Sequence, residues 1–463
     1  MREFELKIDK ALTKGLSPEL MPVNADFLSQ CLGFRCGKAR LEPHVLLTDP
    51  IPVTVDKYYK WPFPQFLVGD AFNILVIRDT TNQQDSVYSV SDDHLTVTHI
   101  FDVDELTFGL GTLMELADFG EYALMTNGVI LLTWNPALSA WIPSLATATI
   151  PLIRTICNYK GQAVGGGVTS AWHDCDETFY VWTKIGSMDF TPDQDNEAGY
   201  RRCPYGGLVR NVKRLGDSVI GYSSKGVTVL HTNPDPATLG FKEICDIGII
   251  NQGAVNGSLL RHVFVGEDYI LRGVTSKGVE ELGYQSFIEQ LAGEDIIVSY
   301  DASNQNFYIG NSSKTFLLTL YGMTEVLQHP SAVWRSGNGS FMIPETVDSS
   351  KPIITSESFD MGYAGQKTVS TVESDAMVVD SPEANIDYTH DNNSWNATSF
   401  KPINNQGITS VIASGNSFRA SIRFADIYNN TRISYIKVRY KMTDLRGLRG
   451  VYAPSTSLRG QGA

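Results

Sequence analysis

The sequence predicts an all-β protein, with a β-propeller of about six blades followed by a C-terminal β-sandwich-like domain. Three observations lead to this prediction. A similar hairpin motif recurs along the middle of the chain at a spacing near 50 residues. The chain contains 40 glycines and 20 prolines scattered through its 463 residues, as expected for many turns between short strands. The strand pattern also changes after Pro344.

The recurring motif consists of two polar turn residues, a glycine and a strand. The three copies are MTNGVILL (Met125–Leu132), SSKGVTVL (Ser223–Leu230) and TSKGVEEL (Thr275–Leu282). A strand-like segment precedes each copy, so each one is predicted to be a β-hairpin. We expect Gly128, Gly226 and Gly278 to supply the positive φ that a tight hairpin turn needs.

The spacing of these hairpins predicts the architecture. Gly128 and Gly226 are 98 residues apart, close to two steps of 49, and Gly226 and Gly278 are 52 apart. A degenerate copy, Trp172–Ile185, fills the gap between the first two. Further meanders are predicted at Phe72–Asp79, Ser86–Phe101 and Ile296–Tyr321. Several strands in each period of 40 to 50 residues are typical of propeller blades, which bury their faces by stacking radially.

Residues 45–345 have room for about six such blades. Five or seven blades remain open, and so does an ordinary β-sandwich whose hairpins look alike because all of them use glycine. Residues 1–44 are predicted to be an N-terminal arm that closes or flanks the propeller, with a short helix at Asn24–Leu32.

Residues 346–441 alternate at period two between polar turns, which predicts the second β domain. We expect one face of its penultimate strand to be apolar, with Phe418, Ala420, Ile422 and Phe424. In the last strand we expect Ile436, Val438 and Tyr440 to share a face. Residues 442–463 are predicted to be an extended basic tail.

The net charge of −14 disfavours a nucleic-acid-binding surface, which would carry a basic patch. It remains compatible with a wall past which DNA slides, because negative charge repels phosphate. None of the six cysteines forms a Cys-x-x-Cys pair, so reduced thiols are predicted. The N-terminal residues lack the apolar core of a signal peptide, and no run of 18 apolar residues occurs.

No phosphate-binding loop, nucleophile elbow or zinc-protease motif is present in the sequence. Gly165–Gly167 is predicted to be a turn beside a strand. Thr389–Trp395 looks like a degenerate sialidase Asp-box, which we interpret as a plain hairpin turn. Asp92–His94 and Asp174–Glu177 are acidic but lack the spacing of a Ca²⁺ loop, so they are predicted to be solvated turns. Catalytic residues, metal ligands and a cofactor are therefore not predicted.

Two long stretches, Ile185–Thr232 and Ile247–Ile288, resemble recurring segments of the tail hub, or nozzle, proteins of short-tailed bacteriophages. The shared pattern is an Asp-Phe-Thr-Pro loop, a Leu-Gly-Asp strand, Gly-Val strands and a Gly-Glu-Asp blade. The stretches FDMGYAGQKTVSTVES, NNQGITSVIASGNSFRASIRF and ISYIKVRYK resemble the closing domain of the same proteins. The resemblance covers roughly residues 180–441.

The resemblance implies a structural protein of the virion tail, made in the host cytoplasm, with no catalytic activity and no cofactor. Such proteins form a ring, commonly of six copies, below the portal and adaptor. The ring extends the channel through which double-stranded DNA leaves without specific binding. Propellers surround the ring, the second β region helps to make the tube, and tail fibres or spikes and a plug attach to it.

The alternative is a β-propeller carbohydrate-binding or glycan-degrading protein. It would need repeated Asp-boxes, a central acidic pair or an aromatic site in each blade, and Ser218–Ile288 contains no tryptophan. For the tail hub interpretation, we expect partner contacts in the polar loop Thr191–Tyr205 and in the tail Leu445–Ala463, because loops carry function on a fixed sheet scaffold. The predicted contact residues are Thr191, Asp193, Asp195, Arg201, Arg202, Arg446, Arg449 and Arg459.

Overall fold

A computed structural model of the chain divides into two compact units. The terminal unit comprises Met1–Val45, Thr319–Val326 and Ser349–Ala463, and the propeller unit comprises Leu46–Leu318 and Leu327–Asp348. The structure describes residues 3–19, 26–44, 61–79, 83–92, 96–104, 111–144, 147, 149–233, 239–336, 339–347, 349–363, 365–376, 382–425 and 431–443. Within these ranges the chain is almost entirely β, and none of its helices is long or apolar enough to cross a membrane.

The N-terminal residues contribute strands to the terminal unit. Their elements are β1 (Glu3–Ile8), α1 (Ala11–Lys14), β2 (Leu28–Leu32), β3 (Phe34–Cys36) and β4 (Leu41–Pro43). The predicted helix Asn24–Leu32 is wrong over its described part, because residues 28–32 are a strand. Leu28 and Cys31 have helical spacing, but both are buried in β2, which pairs with residues 353–356. Long-range sheet pairing therefore overrides the local pattern.

Five four-stranded antiparallel sheets follow in the propeller unit, each built from consecutive strands. Sheet 1 contains β5 (Gln65–Val68), β6 (Asn73–Asp79), β7 (Gln84–Val90) and β8 (Val97–Asp104); sheet 2 contains β9 (Glu115–Asp118), β10 (Ala123–Thr126), β11 (Leu131–Asn135) and β12 (Ala140–Ser144). Sheet 3 contains β13 (Ile153–Tyr159), β14 (Gln162–Val168), β15 (Phe179–Trp182) and β16 (Gly199–Arg202); sheet 4 contains β17 (Val209–Leu215), β18 (Ser218–Ser223), β19 (Val227–Thr232) and β20 (Leu239–Cys245). Sheet 5 contains β21 (Val255–Gly257), β22 (His262–Val265), β23 (Leu271–Thr275) and β24 (Gly278–Gly283).

A sixth sheet and a hairpin complete the propeller unit. After α2 (Gln285–Ile288) and a 3₁₀ turn (Glu289–Leu291), sheet 6 contains β25 (Ile297–Asp301), β26 (Asn306–Gly310) and β27 (Thr315–Leu318). The strand β28 (Met323–Val326) belongs to the terminal unit. The hairpin then consists of β29 (Gln328–Ser336) and β30 (Gly339–Val347). Because β29 lies against both β25 and β5, it stands between sheet 6 and sheet 1 and closes the ring. The predicted propeller of about six blades is confirmed.

Hydrophobic clusters lie between successive sheets, as radial stacking requires. The cluster between sheets 3 and 4 includes Tyr159, Val164, Tyr180, Trp182, Val209, Val212, Val219 and Leu230. Equivalent clusters join sheets 1 and 2, sheets 2 and 3, and sheets 4 and 5. Sheets 1 to 5 therefore each bury a face that could not be buried alone.

The glycine run Gly165–Gly167 was predicted to be a turn, and this is wrong, because it lies inside β14. A Cβ on Gly165 would lie 2.8 Å from the carbonyl oxygen of Thr155. One on Gly166 would lie 2.6 Å from Cγ1 of Val209 in sheet 4. Gly165 is needed because the neighbouring strand β13 of its own sheet leaves no room for a side chain, and Gly166 because sheets 3 and 4 approach each other closely there.

The three predicted hairpins are present as β10–β11, β18–β19 and β23–β24. Gly128 and Gly278 have the expected positive φ, 89° and 126°. The expectation is wrong for Gly226, which lies outside the left-handed region. A Cβ at Gly226 would collide with the ring of Tyr205, and the Ser223 hydroxyl accepts a hydrogen bond from the Gly226 N–H. Glycine is therefore needed at position 226 because the Tyr205 ring lies too close to leave room for a side chain.

Two larger sheets and the small β3–β4 pair build the described part of the terminal unit. Its remaining strands are β31 (Ile353–Ser356), β32 (Lys367–Ser374), β33 (Glu383–Thr389), β34 (Asn396–Ala397), β35 (Lys401–Pro402), β36 (Ile408–Gly415), β37 (Ser417–Arg423) and β38 (Ile436–Met442). One sheet has the order β1-β38-β32-β36. The other runs β28-β2-β31-β37-β33, with β34 and β35 both on β33. Residues 1–44, predicted to be a propeller arm, thus supply β1 and β2 to the sheets of the terminal unit.

The predicted alternation of the last two strands is confirmed. The side chains of Phe418, Ala420, Ile422 and Phe424 are at most 1% exposed. Ile436, Val438 and Tyr440 are also buried. On the other face of β38, Lys437 and Arg439 form ion pairs with Glu5 and Glu373 of the neighbouring strands. The tail beyond residue 443 lies outside the described residues.

A buried histidine links sheets 4 and 5. The Tyr222 hydroxyl lies 2.9 Å from Nδ1 of His262, and Nε2 of His262 lies 3.0 Å from the carbonyl oxygen of Arg214. Because a carbonyl only accepts, Nε2 carries the proton and Nδ1 accepts from the tyrosine. Burial lowers the pKa of His262 from 6.5 to about 4, so the ring is neutral in the folded protein.

We predict that this histidine makes the propeller unit acid-sensitive. Between pH 6.5 and 4 the unfolded chain binds a proton that folded His262 excludes, so the unfolding free energy falls as pH falls, by about 1.4 kcal/mol per pH unit. His262→Gln should remove this contribution, as measured by denaturant unfolding from pH 7 to 4. The exposed His99 provides the control variant His99→Gln, which should keep the wild-type slope. An unchanged slope in His262→Gln would contradict the assignment.

Candidate functional site at the centre of the propeller

The first strands of sheets 1, 2, 4, 5 and 6, together with β29, surround a central cavity of about 480 Å³. Residues of β5, β9, β17, β21, β25 and β29 line it. Its polar lining residues include Gln65, Glu115, Asn211, Lys213, Asn256, Ser299 and Ser331. The repeat therefore places one short strand from each of these blades around a shared polar space.

The side chain of Gln252 lines this cavity and contacts two other sheets. Gln252 precedes β21 and is only 8% exposed. Its Nε2 donates to the carbonyl oxygens of Leu113 (3.0 Å) and Arg154 (3.2 Å), and its Oε1 accepts from the Leu113 N–H (3.2 Å). Leu113 lies just before β9 of sheet 2, and Arg154 lies in β13 of sheet 3. Gln252 therefore ties sheet 5 to two other sheets across the propeller axis.

A second polar network lies below Gln252. Asn211 Nδ2 donates to the Gln252 carbonyl oxygen (3.0 Å) and to Glu115 Oε1 (2.9 Å). Lys213 Nζ lies 3.6 Å from Glu115 Oε2. Asn211 is 1% exposed, and its Oδ1 has no partner among the described residues. The cavity wall thus combines apolar side chains with a carboxylate–ammonium pair that an amide holds in place.

A second space lies on the other side of Gln252, and we call it the arginine chamber. It has a volume of about 370 Å³ and shares Pro62, Leu113, Gln252 and Gly253 with the central cavity. Its charged lining residues are Arg78, Arg154, Arg210 and Asp295. Three guanidinium groups from sheets 1, 3 and 4 therefore converge at this end of the axis.

Each arginine of the chamber is fixed by neighbours. Arg78 makes a two-point contact with Asp85 (2.6 and 2.8 Å), and its guanidinium stacks 4.3 Å from the ring centroid of the buried Phe63. Arg154 Nη2 donates to Glu177 (3.0 Å).

The third arginine, Arg210, is held in the same way. Its Nη1 donates to Glu267 (3.1 Å) and to the carbonyl oxygens of Ile249 and Ile250. With all three guanidinium groups held by such contacts, the chamber is pre-organised before any ligand enters.

Sequence reasoning missed this chamber. The sequence analysis singled out none of Arg78, Arg154 and Arg210. A signal was nevertheless present, because Arg154 and Arg210 each occupy the second position of the first strand in consecutive blades. Aligning blades by their first strands would have paired them. Nothing local marks Arg78, which lies on the second strand of sheet 1.

The described part of the predicted contact set lies together on the outer edge of sheet 3. Thr191, Asp193 and Asp195 belong to the segment between β15 and β16, where both aspartates are exposed. Arg201 and Arg202 are exposed on β16, the outermost strand. The predicted residues Arg446, Arg449 and Arg459 lie outside the described residues.

Local contacts orient both arginines of this edge and hold its loop. The Arg201 guanidinium lies 4.8 Å from the ring centroid of Phe241, and Arg202 Nε donates to Thr178 Oγ1 (3.1 Å). The Thr191 N–H donates to Asp189 Oδ1 (2.9 Å). This edge is thus a fixed surface that carries charges of both signs.

The acidic motifs serve as turns where they are described. Asp391, in the Asp-box-like segment, accepts from the N–H groups of Asn393 and Ser394, and these bonds lower its pKa. Asp176 caps its own turn by accepting from Thr178, which also lowers its pKa. Asp93 and His94 lie outside the described residues. Among the described residues, no group of three His, Cys, Asp or Glu side chains could hold a metal.

Comparison with known proteins gives likeness of shape only. No protein-family model matches the chain, and no curated protein matches it. Among solved structures, the Neurospora crassa Pan2 WD40 domain is similar over 60% of this chain and 86% of its own, with 7% identity and a TM-score of 0.38. A chain of a mitotic checkpoint complex structure is similar over 70% of this chain and 93% of its own, with 9% identity and a TM-score of 0.41. Such values carry no information about function.

We predict that Gln252→Glu destabilises the propeller unit in a pH-dependent way. An ionised glutamate donates no hydrogen bond and would face the carbonyl oxygens of Leu113 and Arg154, so we expect a loss of about 2–4 kcal/mol in unfolding free energy at pH 7. Protonation restores one donor, so the deficit should shrink toward pH 5. Denaturant unfolding of both proteins measures this difference.

Gln194→Glu, in the exposed loop before β16, is the matched control and should behave as wild type. A deficit for Gln252→Glu that is small, or that does not change with pH, would show that the crossing contacts are not formed.

Proposed function

We propose that this protein is a structural subunit of a phage tail hub that assembles into a ring and is not an enzyme. The ring, with six copies by analogy with tail hubs, would extend the DNA channel below the portal and adaptor proteins. Fibres, spikes or a plug would attach to its exposed loops. The observation that carries this proposal is the resemblance of residues 180–441, together with where those residues fold.

The resembling stretches fold as contiguous structural blocks. Ile185–Thr232 spans the loop before β16, that strand, and β17 to β19 of sheet 4. Ile247–Ile288 spans sheet 5 and α2. The C-terminal stretches form β32, β36, β37 and β38 of the terminal unit. A resemblance that follows runs of consecutive strands supports a shared architecture better than scattered matches would.

The closed propeller axis supports a scaffold role. Because Gln252 crosses the axis, a duplex could not pass through one propeller, so a DNA channel would have to form between copies arranged in a ring. The net charge of −14 agrees with a wall that repels phosphate. Both points favour an assembly in which each copy contributes a rigid sector.

The glycan-binding alternative gains no specific support. Lectin propellers stack sugars on exposed aromatic rings, but Trp172 and Trp182 are 3% and 2% exposed in the clusters between sheets. Trp134 and Trp141 pack edge to face with each other and with Phe72. These four tryptophans therefore serve packing within the propeller unit.

The experiment that tests the proposed function measures the mass of the purified chain by light scattering, with negative-stain imaging. The chain is measured alone and after mixing with portal and adaptor proteins of a short-tailed phage. We expect rings with a central hole, alone or on the partner. A monomer at every concentration that ignores both partners would contradict the proposal.

We predict that the outer edge of sheet 3 contributes to assembly. Reversing two charges with Arg201→Glu and Arg202→Glu should raise the concentration at half assembly at least about tenfold, because like charges across an interface are costly. Lys225→Glu is the control, because it reverses the charge of an exposed residue in the turn between β18 and β19, away from this edge. Analytical ultracentrifugation gives the assembly curve, and a double variant that assembles like Lys225→Glu would exclude this edge.

The basic tail is tested separately. Deleting residues 445–463 should weaken ring assembly or docking while the melting curve of the propeller unit stays unchanged. Assembly and docking that match the full-length chain would remove the tail from the contact set.

A further inference from the structure

The first strands of sheets 1 to 5 run in the same direction along the propeller axis. Residues at or just before the start of these strands line the arginine chamber, among them Leu113, Arg154 and Arg210. Later residues of the same strands, such as Cys157 and Lys213, line a third space of about 300 Å³. The turns from first to second strands therefore lie at the end of the propeller away from the chamber. In an antiparallel meander the connections from third to fourth strands lie at that end too, and we call this end the turn face.

Neighbouring turns contact one another around the turn face. Asn158 Nδ2, in sheet 3, donates to the carbonyl oxygen of Asp118 in sheet 2 (2.6 Å). The Tyr159 hydroxyl donates to the carbonyl oxygen of Asp217 in the turn of sheet 4 (2.6 Å). A Cβ on the glycine before Asp217 would lie 3.8 Å from the carbonyl oxygen of Leu259 in the turn of sheet 5. The turns of sheets 2 to 5 thus form one continuous surface.

The turn face exposes most of the large apolar side chains that the propeller unit leaves in solvent. Nine such side chains are exposed among the described residues of this unit, and six of them belong to the turn face. The other three are Ile142 and Tyr200 on outermost strands and Leu208 at the opposite end. The six are Val68, Tyr122, Leu138, Ile185, Leu259 and Leu260. Exposed apolar residues grouped on one surface indicate an interaction site.

The exposed charges of the turn face are mainly negative. Its first-to-second turns expose three carboxylates and one lysine, and its third-to-fourth connections expose four carboxylates and two lysines, counted over the described residues. The carboxylates are Asp70, Asp92, Glu121, Asp189, Asp193, Asp195 and Asp217, and the lysines are Lys160, Lys184 and Lys277. A partner that covers this face should therefore combine apolar side chains with positive charge.

The C-terminal tail of the chain has this composition. Residues 445–463 contain three arginines and no acidic residue. Each arginine stands in a Leu-Arg-Gly triplet, at 445–447, 448–450 and 458–460, so every positive charge follows an apolar side chain. A segment of this length spans at most about 70 Å when extended, which allows it to lie across several turns of a second copy.

We propose that the tail of one copy docks on the turn face of a neighbouring copy. The leucines of the triplets contact the exposed apolar side chains, and the arginines face the carboxylates between them. This inference rests on the proposed self-assembly of the chain and names a contact that links successive copies. Because the contact joins two different surfaces, it is heterologous, the kind of interface that generates a ring when the rotation closes.

The test is a complementation experiment in full-length chains, followed by sedimentation velocity. The face variant carries Leu138→Lys and Leu260→Lys, at positions that are 67% and 81% exposed. The tail variant carries Arg446→Glu, Arg449→Glu and Arg459→Glu, which keeps the length of the chain. We expect each variant alone to raise the concentration at half association at least about tenfold, because like charges then oppose each other across the contact.

Mixing the two variants with a third chain identifies the contact. A chain lacking residues 445–463 keeps an intact turn face, and the face variant keeps an intact tail. At a concentration where each is monomeric alone, an equimolar mixture should form a two-chain species, whereas the tail variant mixed with the deleted chain should stay monomeric. Leu208→Lys, at the opposite end of the propeller, is the matched control and should associate as wild type. Circular dichroism melting establishes that all variants are folded.

The proposal is overturned if the wild-type chain does not associate, if the face or tail variant associates like wild type, or if the face variant and the deleted chain fail to combine. Wild-type rings that both variants also form would remove this contact and leave the proposed function standing. Complementation without rings would support the contact and contradict the ring. The two proposals can therefore fail separately.

Discussion

The propeller depends on the contacts that Gln252 makes across its axis. A ring of sheets is held together laterally by hydrophobic clusters, but each cluster joins only two neighbours. Gln252 instead links sheet 5 to sheets 2 and 3 through three hydrogen bonds in a buried position. Because an amide offers both a donor and an acceptor, it satisfies the Leu113 N–H and two carbonyl oxygens together. The same side chain lines both the central cavity and the arginine chamber. The contacts of Gln252 therefore both cross the axis and shape the two spaces beside it.

Much of the architecture could be predicted from local sequence because a propeller repeats a local unit. Hairpins at Gly128 and Gly278 follow from turn chemistry, and their spacing gives the blade period. Other glycines could not be interpreted in this way. Gly226 and Gly165 are present because an aromatic ring or a carbonyl oxygen from another strand lies where a Cβ would be. That requirement exists only after the chain folds, and a turn-based interpretation therefore fails for both.

The terminal unit illustrates a second limit of local reasoning. Strands from the two ends of the chain, β1 and β38, pair side by side, and β2 pairs with β31. Nothing in the N-terminal 44 residues specifies a partner more than 300 residues away. The arginine chamber has the same character, since Arg78, Arg154 and Arg210 come from three blades. Repeats bring such residues together, and only an alignment by strand position, as for Arg154 and Arg210, would have indicated part of the set.

The central claim of this account is that the axis is closed in the folded protein, so that a DNA channel can arise only between copies. Native-state hydrogen exchange at the Leu113 amide and the Gln252 side-chain amide measures this most directly. The account predicts that both exchange only with global unfolding of the propeller unit, as core amides do. Exchange as fast as that of the exposed loop before β16 would show that the axis opens in the native state, and would contradict the claim.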